Sequence, residues 1–284
     1  MMRFIEKRVN FDVCTFCNHK CSFCSNSDER TIKHSTTLDE FKKVMQNVMK
    51  YVKISELGLS AKGEVLVNND FTKIVEFAKK ELNIPYIYIS SNGALLDEKK
   101  AIEVLEAGLD SIKFSINATT QDEYKKIHKA DDFDKVIQNF KTLLNLKKTT
   151  YPKLKLFLSS VVSEVQTNPT KEFEKIFKDD FSLINGVSIY NITYTPKFEK
   201  VDSKKQPISK CSIPFRELYI NSDGSLGLCC KDYFDEINFG SLIENDFLDI
   251  YNSTKFKEVR DMHKTNTFPD NHLCKNCLLY DGGM

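Results

Sequence analysis

The chain lacks any apolar run approaching the roughly 20 residues that a membrane-spanning helix needs. Its opening residues, Met1-Met2-Arg3-Phe4-Ile5-Glu6-Lys7-Arg8, are too charged for the apolar stretch of a signal peptide. No membrane role is expected from this, and a cytoplasmic location is. An excess of one charge is missing too: 41 Lys and Arg stand against 40 Asp and Glu, scattered along the sequence. That balance gives no basic footprint for DNA or RNA, so nucleic acid is not expected as a partner. There is no low-complexity segment and no repeat beyond an alternation of element types. No two of the five histidines have the spacing of metal ligands; His19 and His272, each close to cysteines, read as incidental.

Cysteine, by contrast, is plentiful, with nine in 284 residues. In a cytosolic chain, metal binding or catalysis outranks disulfides as the reason. The most informative stretch is Cys17-Asn18-His19-Lys20-Cys21-Ser22-Phe23-Cys24. Electron-carrier iron-sulfur clusters use four cysteines, so a loop of three leaves one iron open to an outside ligand. Structural zinc is the competing reading, with Cys14 completing a quartet. Without zinc, Cys14 becomes the last residue of the first strand.

Up to about residue 195, β-rich runs alternate with amphipathic stretches, the pattern of βα units building a parallel sheet. The strands are expected at Val9–Cys14, Ile54–Ser60, Tyr86–Ser90, Ser111–Ile116, Leu154–Val162 and Val187–Tyr194. Helical spacing shows in Leu38, Phe41, Val44, Met45 and Val48, and again in Phe133, Val136, Ile137, Phe140 and Leu144. Thr37 with Glu40 forms a capping-box signature, and Pro169-Thr170 opens the fifth helix. Lys197 to Gln206, polar and lysine-rich, reads as a linker. Beyond it, Glu217–Ile220 and Ser225–Cys229 flank Asn221-Ser222-Asp223-Gly224, a hairpin signal. A helix from Phe247 to His263 then leads to the pair Cys274 and Cys277.

The Cys17–Cys24 segment resembles the CX3CXΦC motif of radical S-adenosylmethionine (SAM) enzymes. The resemblance implies a 4Fe–4S cluster on Cys17, Cys21 and Cys24 whose open iron chelates SAM. It implies an α/β fold, a partial (β/α)6 barrel of TIM type over residues 1–200, followed by a small α+β cysteine-rich domain over 207–284. In such barrels ligand groups collect where the strands end. Gly63 and Glu64 after strand two map to the segment that receives the SAM amino group, although Lys62 and Val65 replace the usual glycine and proline. Ser115 and Asn117 map to the ribose contacts, and Phe23 to the border of the adenine. Alternation along strand four is expected to put Ser115 and Asn117 on one face. The C-terminal layout resembles the twitch form of the SPASM domain, which carries one auxiliary 4Fe–4S cluster. Its implied ligands are Cys211, Cys229, Cys274 and Cys277, with Cys229 preferred to Cys230 because adjacent strand residues face opposite ways. Zinc is the alternative at this second site also.

The resemblance further implies an enzyme, an oxidoreductase that cleaves SAM reductively to a 5′-deoxyadenosyl radical. A dehydrogenase-like oxidation of a small polar substrate, such as a sugar or aminocyclitol alcohol, is the first expectation, with the auxiliary cluster accepting an electron. Flavodoxin or ferredoxin would supply reducing electrons. The second reading is a peptide-modifying enzyme, an epimerase or cross-link-forming maturase; the few residues before strand one leave no room there for a peptide-recognition domain. A non-catalytic zinc or iron-sulfur protein is the third. No catalytic base is identifiable. Arg216 is a candidate substrate contact, and Tyr190, Tyr194 and Lys62 stand near the expected barrel mouth.

Overall fold

The computed structural model describes residues 5–24, 32–59, 62–162, 169–191, 211–270 and 272–276. Six parallel strands run in chain order: β1 (Ile5–Phe11), β2 (Val52–Gly58), β3 (Ile87–Ser91), β4 (Ser111–Ser115), β5 (Lys155–Val162) and β6 (Gly186–Asn191). Each pairs only with its sequence neighbours on this side, as βα units require. On the other flank of β1 lies β7 (Glu217–Ile220), also parallel, followed by antiparallel β8 (Ser225–Gly227) and β9 (Asn238–Ser241). One open sheet of nine strands, ordered β6-β5-β4-β3-β2-β1-β7-β8-β9, thus runs through the whole chain. The C-terminal module adds its three strands to the same sheet.

Alternation in β1 sorts its side chains. Lys7, Val9 and Phe11 are buried beneath helices, while Arg8 and Asn10 face the opposite, concave side. Helix α1 (Leu38–Met49) starts at the Thr37/Glu40 capping box and buries Phe41, Val44, Met45 and Val48, as the spacing predicts. Helix α2 (Phe71–Glu76) continues as a π-helical stretch to Glu81. Helix α3 (Glu98–Glu106) follows β3, and β4 is followed by two helices, α4 (Gln121–His128) and α5 (Phe133–Thr149). The helix that Pro169 opens is therefore the sixth, α6 (Pro169–Phe177).

Most strand ends differ from the sequence reading by one to four residues, and three differences are larger in kind. Strand β1 ends at Phe11, and Cys14 makes only an isolated bridge to Ser35. The stretch expected as one helix from Phe247 to His263 is two, α8 (Phe247–Tyr251) and α9 (Thr254–Thr265), because Ser253 caps a new start by accepting from the Phe256 amide. Strand β9 carries no apolar run long enough to announce itself. A short helix α7 (Ile213–Arg216) leads into β7. Ser60, Tyr194, the 197–206 linker and Cys277 lie outside the described residues.

The C-terminal module is bolted to α1. Asn47 Nδ2 donates to the carbonyls of Leu242 and Asn245, both at 2.8 Å, and Asn47 Oδ1 accepts from the Phe247 amide at 3.1 Å. Tyr51 donates to Asp246 at 3.0 Å, and Thr36 to the Ser222 carbonyl at 2.7 Å.

Candidate active site

The cysteine loop leaves β1 at its C-terminal end and is pinned along its length. The amide of Asp12 donates to the Ile220 carbonyl of β7, Ser22 to Ile127 of α4 at 2.8 Å, and Lys20 to His128 at 3.3 Å. Cys17 is exposed, Cys21 and Cys24 half-buried. Cys14 is 2% exposed, and its thiol donates to the Phe16 carbonyl. It is thus the most buried of the four cysteines in this stretch. Burial, then the charges of Cys24 and Cys17, push the Cys21 thiol well above its ordinary value. Three thiolates this close need a cationic centre to hold them deprotonated. The donor set, three sulfurs within eight residues of one short loop, fits a cluster with one open iron.

The loops after β2, β3 and β4 close around this one. A Cβ on Gly63 would sit 2.3 Å from the Cys14 carbonyl oxygen, so only glycine lets the β2 loop lie against the cysteine loop. The Glu64 amide donates to Phe16 O at 2.9 Å. Its carboxylate is buried and accepts from Ser91 Oγ at 2.8 Å and the Asn92 amide at 2.7 Å, tying the β2 loop to the β3 loop. Burial raises the Glu64 pKa against these hydrogen bonds. Asn92 reaches on to Asn18 Oδ1 at 2.8 Å, inside the cysteine loop. Phe23 packs against the core.

Ser115 and Asn117 are adjacent but not through strand alternation. Strand β4 stops at Ser115, and Asn117 adopts φ 53°. Its Oδ1 accepts from the Val161 amide of β5 at 2.9 Å, while Ser115 Oγ lies 3.2 Å from Ser159 Oγ. The half-buried Ser115 is on the concave face and Asn117 is buried behind it. Lys62 does not project freely into the mouth: it ion-pairs with Asp235 and donates to Asn221 at 3.3 Å, joining the β2 loop to the C-terminal module.

Arg216 is exposed and ends α7. Because Glu217 is level with Arg8, Arg216 stands about four residues, or ~13 Å, upstream of the strand ends where the other groups gather. The structure places it away from the cysteine loop, one residue below the level of Arg8. Tyr190 belongs to β6. In the C-terminal module Cys211, Cys229, Cys230 and Cys274 are half-buried. Strand β8 ends at Gly227, so alternation does not separate Cys229 from Cys230; what distinguishes them is the Tyr219 hydroxyl hydrogen-bonded to Cys230. His272 is not incidental, since its Nδ1 accepts from the Cys274 amide at 3.1 Å.

Two groups of residues escaped the sequence reading. The first is His19 with His128. His19 Nε2 donates to Asp132 at 3.1 Å, His128 Nε2 to the Ile116 carbonyl at 2.7 Å, and the two Nδ1 atoms lie 3.3 Å apart beside Cys21. Burial, then the neighbouring His19, pushes the His128 imidazole down to about 4. The second is the concave face of the sheet. Arg8 pairs with Glu56 and Glu217, Asn10 donates to Glu217 at 3.1 Å, and the Tyr88 and Tyr219 hydroxyls donate to Asn10 and Glu217, both at 2.9 Å. Burial pushes the Tyr88 hydroxyl up to about 12. The alternation of Arg8 and Asn10 with Val9 and Phe11 was the available signal for this face; nothing in the spacing pointed to the histidines.

Comparison with known proteins agrees with this geometry. Among curated proteins, the probable GTP 3′,8-cyclase of Saccharolobus solfataricus is 30% identical over 130 residues, which make up 46% of this chain and 41% of that protein. The GTP 3′,8-cyclase of Chlorobaculum tepidum is 28% identical over 138 residues, 48% of this chain and 40% of that one. The match therefore spans about two-fifths of the length of these relatives. Among solved structures, BtrN in complex with AdoMet and 2-DOIA aligns with a TM-score of 0.63 at 17% identity, covering 98% of this chain and 94% of BtrN. Streptococcus suis SuiB bound to precursor peptide SuiA aligns at 0.68 and 13% identity, covering 98% and 71%. At such identities the likeness is one of fold. No described helix is long and apolar enough to cross a membrane. The iron-sulfur cluster-binding SPASM profile matches residues 211–278. The radical SAM superfamily profile matches residues 12–154, from the first residue past β1 to the threshold of β5, and with half its length so covered the chain belongs to the radical SAM superfamily, with iron-sulfur clusters and SAM as its cofactors.

Proposed function

We propose that the protein is a radical SAM oxidoreductase that oxidises a small polar substrate held on the concave face of the sheet. The observation that carries this is the lining of that face. Arg8, Asn10, Glu56, Tyr88, Glu217 and Tyr219 form one connected set of charges and hydroxyls where a substrate-binding barrel with an apolar ligand would bury hydrocarbon. Cys17, Cys21 and Cys24 would hold the first cluster, and Gly63, Phe23, Ser115 and Asn117 would line the SAM site. Cys211, Cys229, Cys274 and Cys277 would hold the auxiliary cluster. When bound, cluster and SAM together supply a hydrogen-abstracting radical.

The chain's own groups have three tasks. Arg8 and Asn10 orient hydroxyl or amino groups of the substrate. Oxidation of an alcohol carbon gives one hydrogen atom to the radical and releases one proton and one electron; the auxiliary cluster would take the electron, and Glu56 and Glu217, both paired with Arg8, are this face's candidate proton acceptors. The C-terminal module covers the open flank of β1 and screens the site from water.

The likeness to BtrN, whose structure holds AdoMet and 2-DOIA, supports a small ligand. A peptide substrate is the second reading, favoured by the likeness to SuiB bound to precursor peptide SuiA. Anaerobically reconstituted protein, given reductant and SAM, tests both. Substrate-dependent release of 5′-deoxyadenosine with a panel of polyols and aminocyclitols supports the first reading. Release only with peptides replaces it by the second, and no SAM cleavage by iron- and sulfide-replete protein removes both.

A further inference from the structure

The two buried imidazoles beside Cys21 have their tautomers fixed by what they touch. The Ile116 carbonyl can only accept, so His128 Nε2 carries the proton of that 2.7 Å bond. The Asp132 carboxylate likewise accepts from His19 Nε2. A neutral imidazole has one N–H, so with both rings neutral each Nδ1 presents a lone pair. Those lone pairs lie 3.3 Å apart, and the Cys21 sulfur is 3.5 Å from His128 Nδ1. With His128 1% and His19 7% exposed, bulk water does not separate them. Two lone pairs facing at this distance call for a cation between them, either a proton shared as an N–H···N hydrogen bond or a metal ion.

The spacing is that of a metal site. With metal-nitrogen bonds of about 2.0–2.1 Å and a metal-sulfur bond of about 2.3 Å, tetrahedral zinc sets nitrogen-nitrogen edges of about 3.3 Å and nitrogen-sulfur edges of about 3.5 Å. Both measured edges agree, and all three ligand atoms fall within 4.8 Å of one another. The outer nitrogens are already arranged as metal-bound histidines require, one donating to a carboxylate and one to a backbone carbonyl.

We propose that the chain, when it lacks its first cluster, binds one divalent cation of the zinc class through Cys21 Sγ, His19 Nδ1 and His128 Nδ1, with solvent as fourth ligand. Binding forms the metal-sulfur bond and releases the Cys21 thiol proton to solvent; no electron is transferred. Because Cys21 is shared, the ion and the iron-sulfur cluster exclude each other, and cluster assembly has to displace it. This last point rests on Cys21 as a cluster ligand; the ion site itself does not.

Cobalt(II) is the probe. Cluster-free full-length protein, titrated anaerobically, is expected to show tetrahedral d–d bands with a sulfur-to-cobalt charge-transfer band, bleached by zinc. Cys17→Ser and Cys24→Ser should retain the signal. His19→Asn, His128→Asn and Cys21→Ser should each weaken it at least tenfold, against a constant contribution from the C-terminal cysteines. X-ray absorption of zinc-loaded protein carrying Cys274→Ser and Cys277→Ser, which removes the competing C-terminal site, should show histidine scattering and one sulfur, a readout that holds even if His128→Asn fails to fold. Signal that survives the histidine changes but needs Cys17 and Cys24 overturns the proposal in favour of a cysteine-only site. Signal indifferent to all of these changes assigns the ion to the C-terminal module and also overturns it. Cluster content and SAM cleavage of the reconstituted wild type are measured separately, so failure here and failure of the enzymatic reading give different results.

Discussion

Asn117 shows how one side chain can serve both the backbone and the proposed ligand. At φ 53° it occupies the left-handed region, and its Oδ1 accepts the Val161 amide of the neighbouring strand. Asn117→Ala removes that bond and adds strain, so it should lower stability by about 1–2 kcal/mol; Asn117→Gly, relieved of the strain, should lose less. Thermal unfolding of the two variants checks the order. On the cluster-loaded protein, Asn117→Ala should also weaken SAM binding by roughly tenfold or less. Calorimetric titration showing wild-type affinity in both Asn117→Ala and Ser115→Ala would put the ribose elsewhere. At this scale the cysteine loop was legible because its information is local, three thiols within eight residues. His128 was not, since it lies 107 positions from the Cys21 it touches and only the fold brings the two together. Asn117 was half-legible: its proximity to Ser115 was readable, but the left-handed turn that creates it was not.

Among the elements, α1 carries more than its amphipathic pattern announces. Its inner face was readable from Phe41, Val44, Met45 and Val48, yet Asn47, on the outer side, makes three hydrogen bonds to the C-terminal module. At about 1 kcal/mol net for each bond, Asn47→Ala should cost roughly 1–3 kcal/mol, measured by urea unfolding. No change would mean that the module is held by its strand pairing alone. The split between α8 and α9 was hidden for a related reason. Apolar periodicity runs on across the junction, whereas a single capping hydroxyl, Ser253, decides where the second helix starts. Strand β1 also carries a buried charge. Lys7 is 2% exposed under Tyr251 and donates to the Phe215 carbonyl. Burial, then Arg260, lowers its pKa to about 8 from 10.5. Between those values the unfolded chain holds more protons, so this group adds stability as pH rises. The stability of wild type relative to Lys7→Met should therefore increase from pH 8 to pH 10; a flat difference would show that Lys7 titrates normally.

For the molecule as a whole, the sequence divided the chain near residue 200, and the sheet joins it. The six parallel strands were foreseeable because each βα unit is written in contiguous sequence. The pairing of β7 with β1 was not, because parallel partners so far apart share no local signal. A chain truncated after residue 200 would leave β1 as an open edge with Val9 and Phe11 partly uncovered, and aggregation is the expected result. A soluble, monomeric fragment on size-exclusion chromatography would show that the N-terminal strands stand alone. The same pairing sets a clock. Arg8 meets Glu217 only after the 208 intervening positions have been made, which at about 5–20 residues per second takes roughly 10–40 s. Throughout that interval the strand that launches the cysteine loop is supported on one side, and Cys17, Cys21 and Cys24 have left the ribosome before the cover that encloses them exists. Metal delivery to a nascent chain and to a finished one are consequently different problems, the first limited by translation and the second by how often β7 lets go.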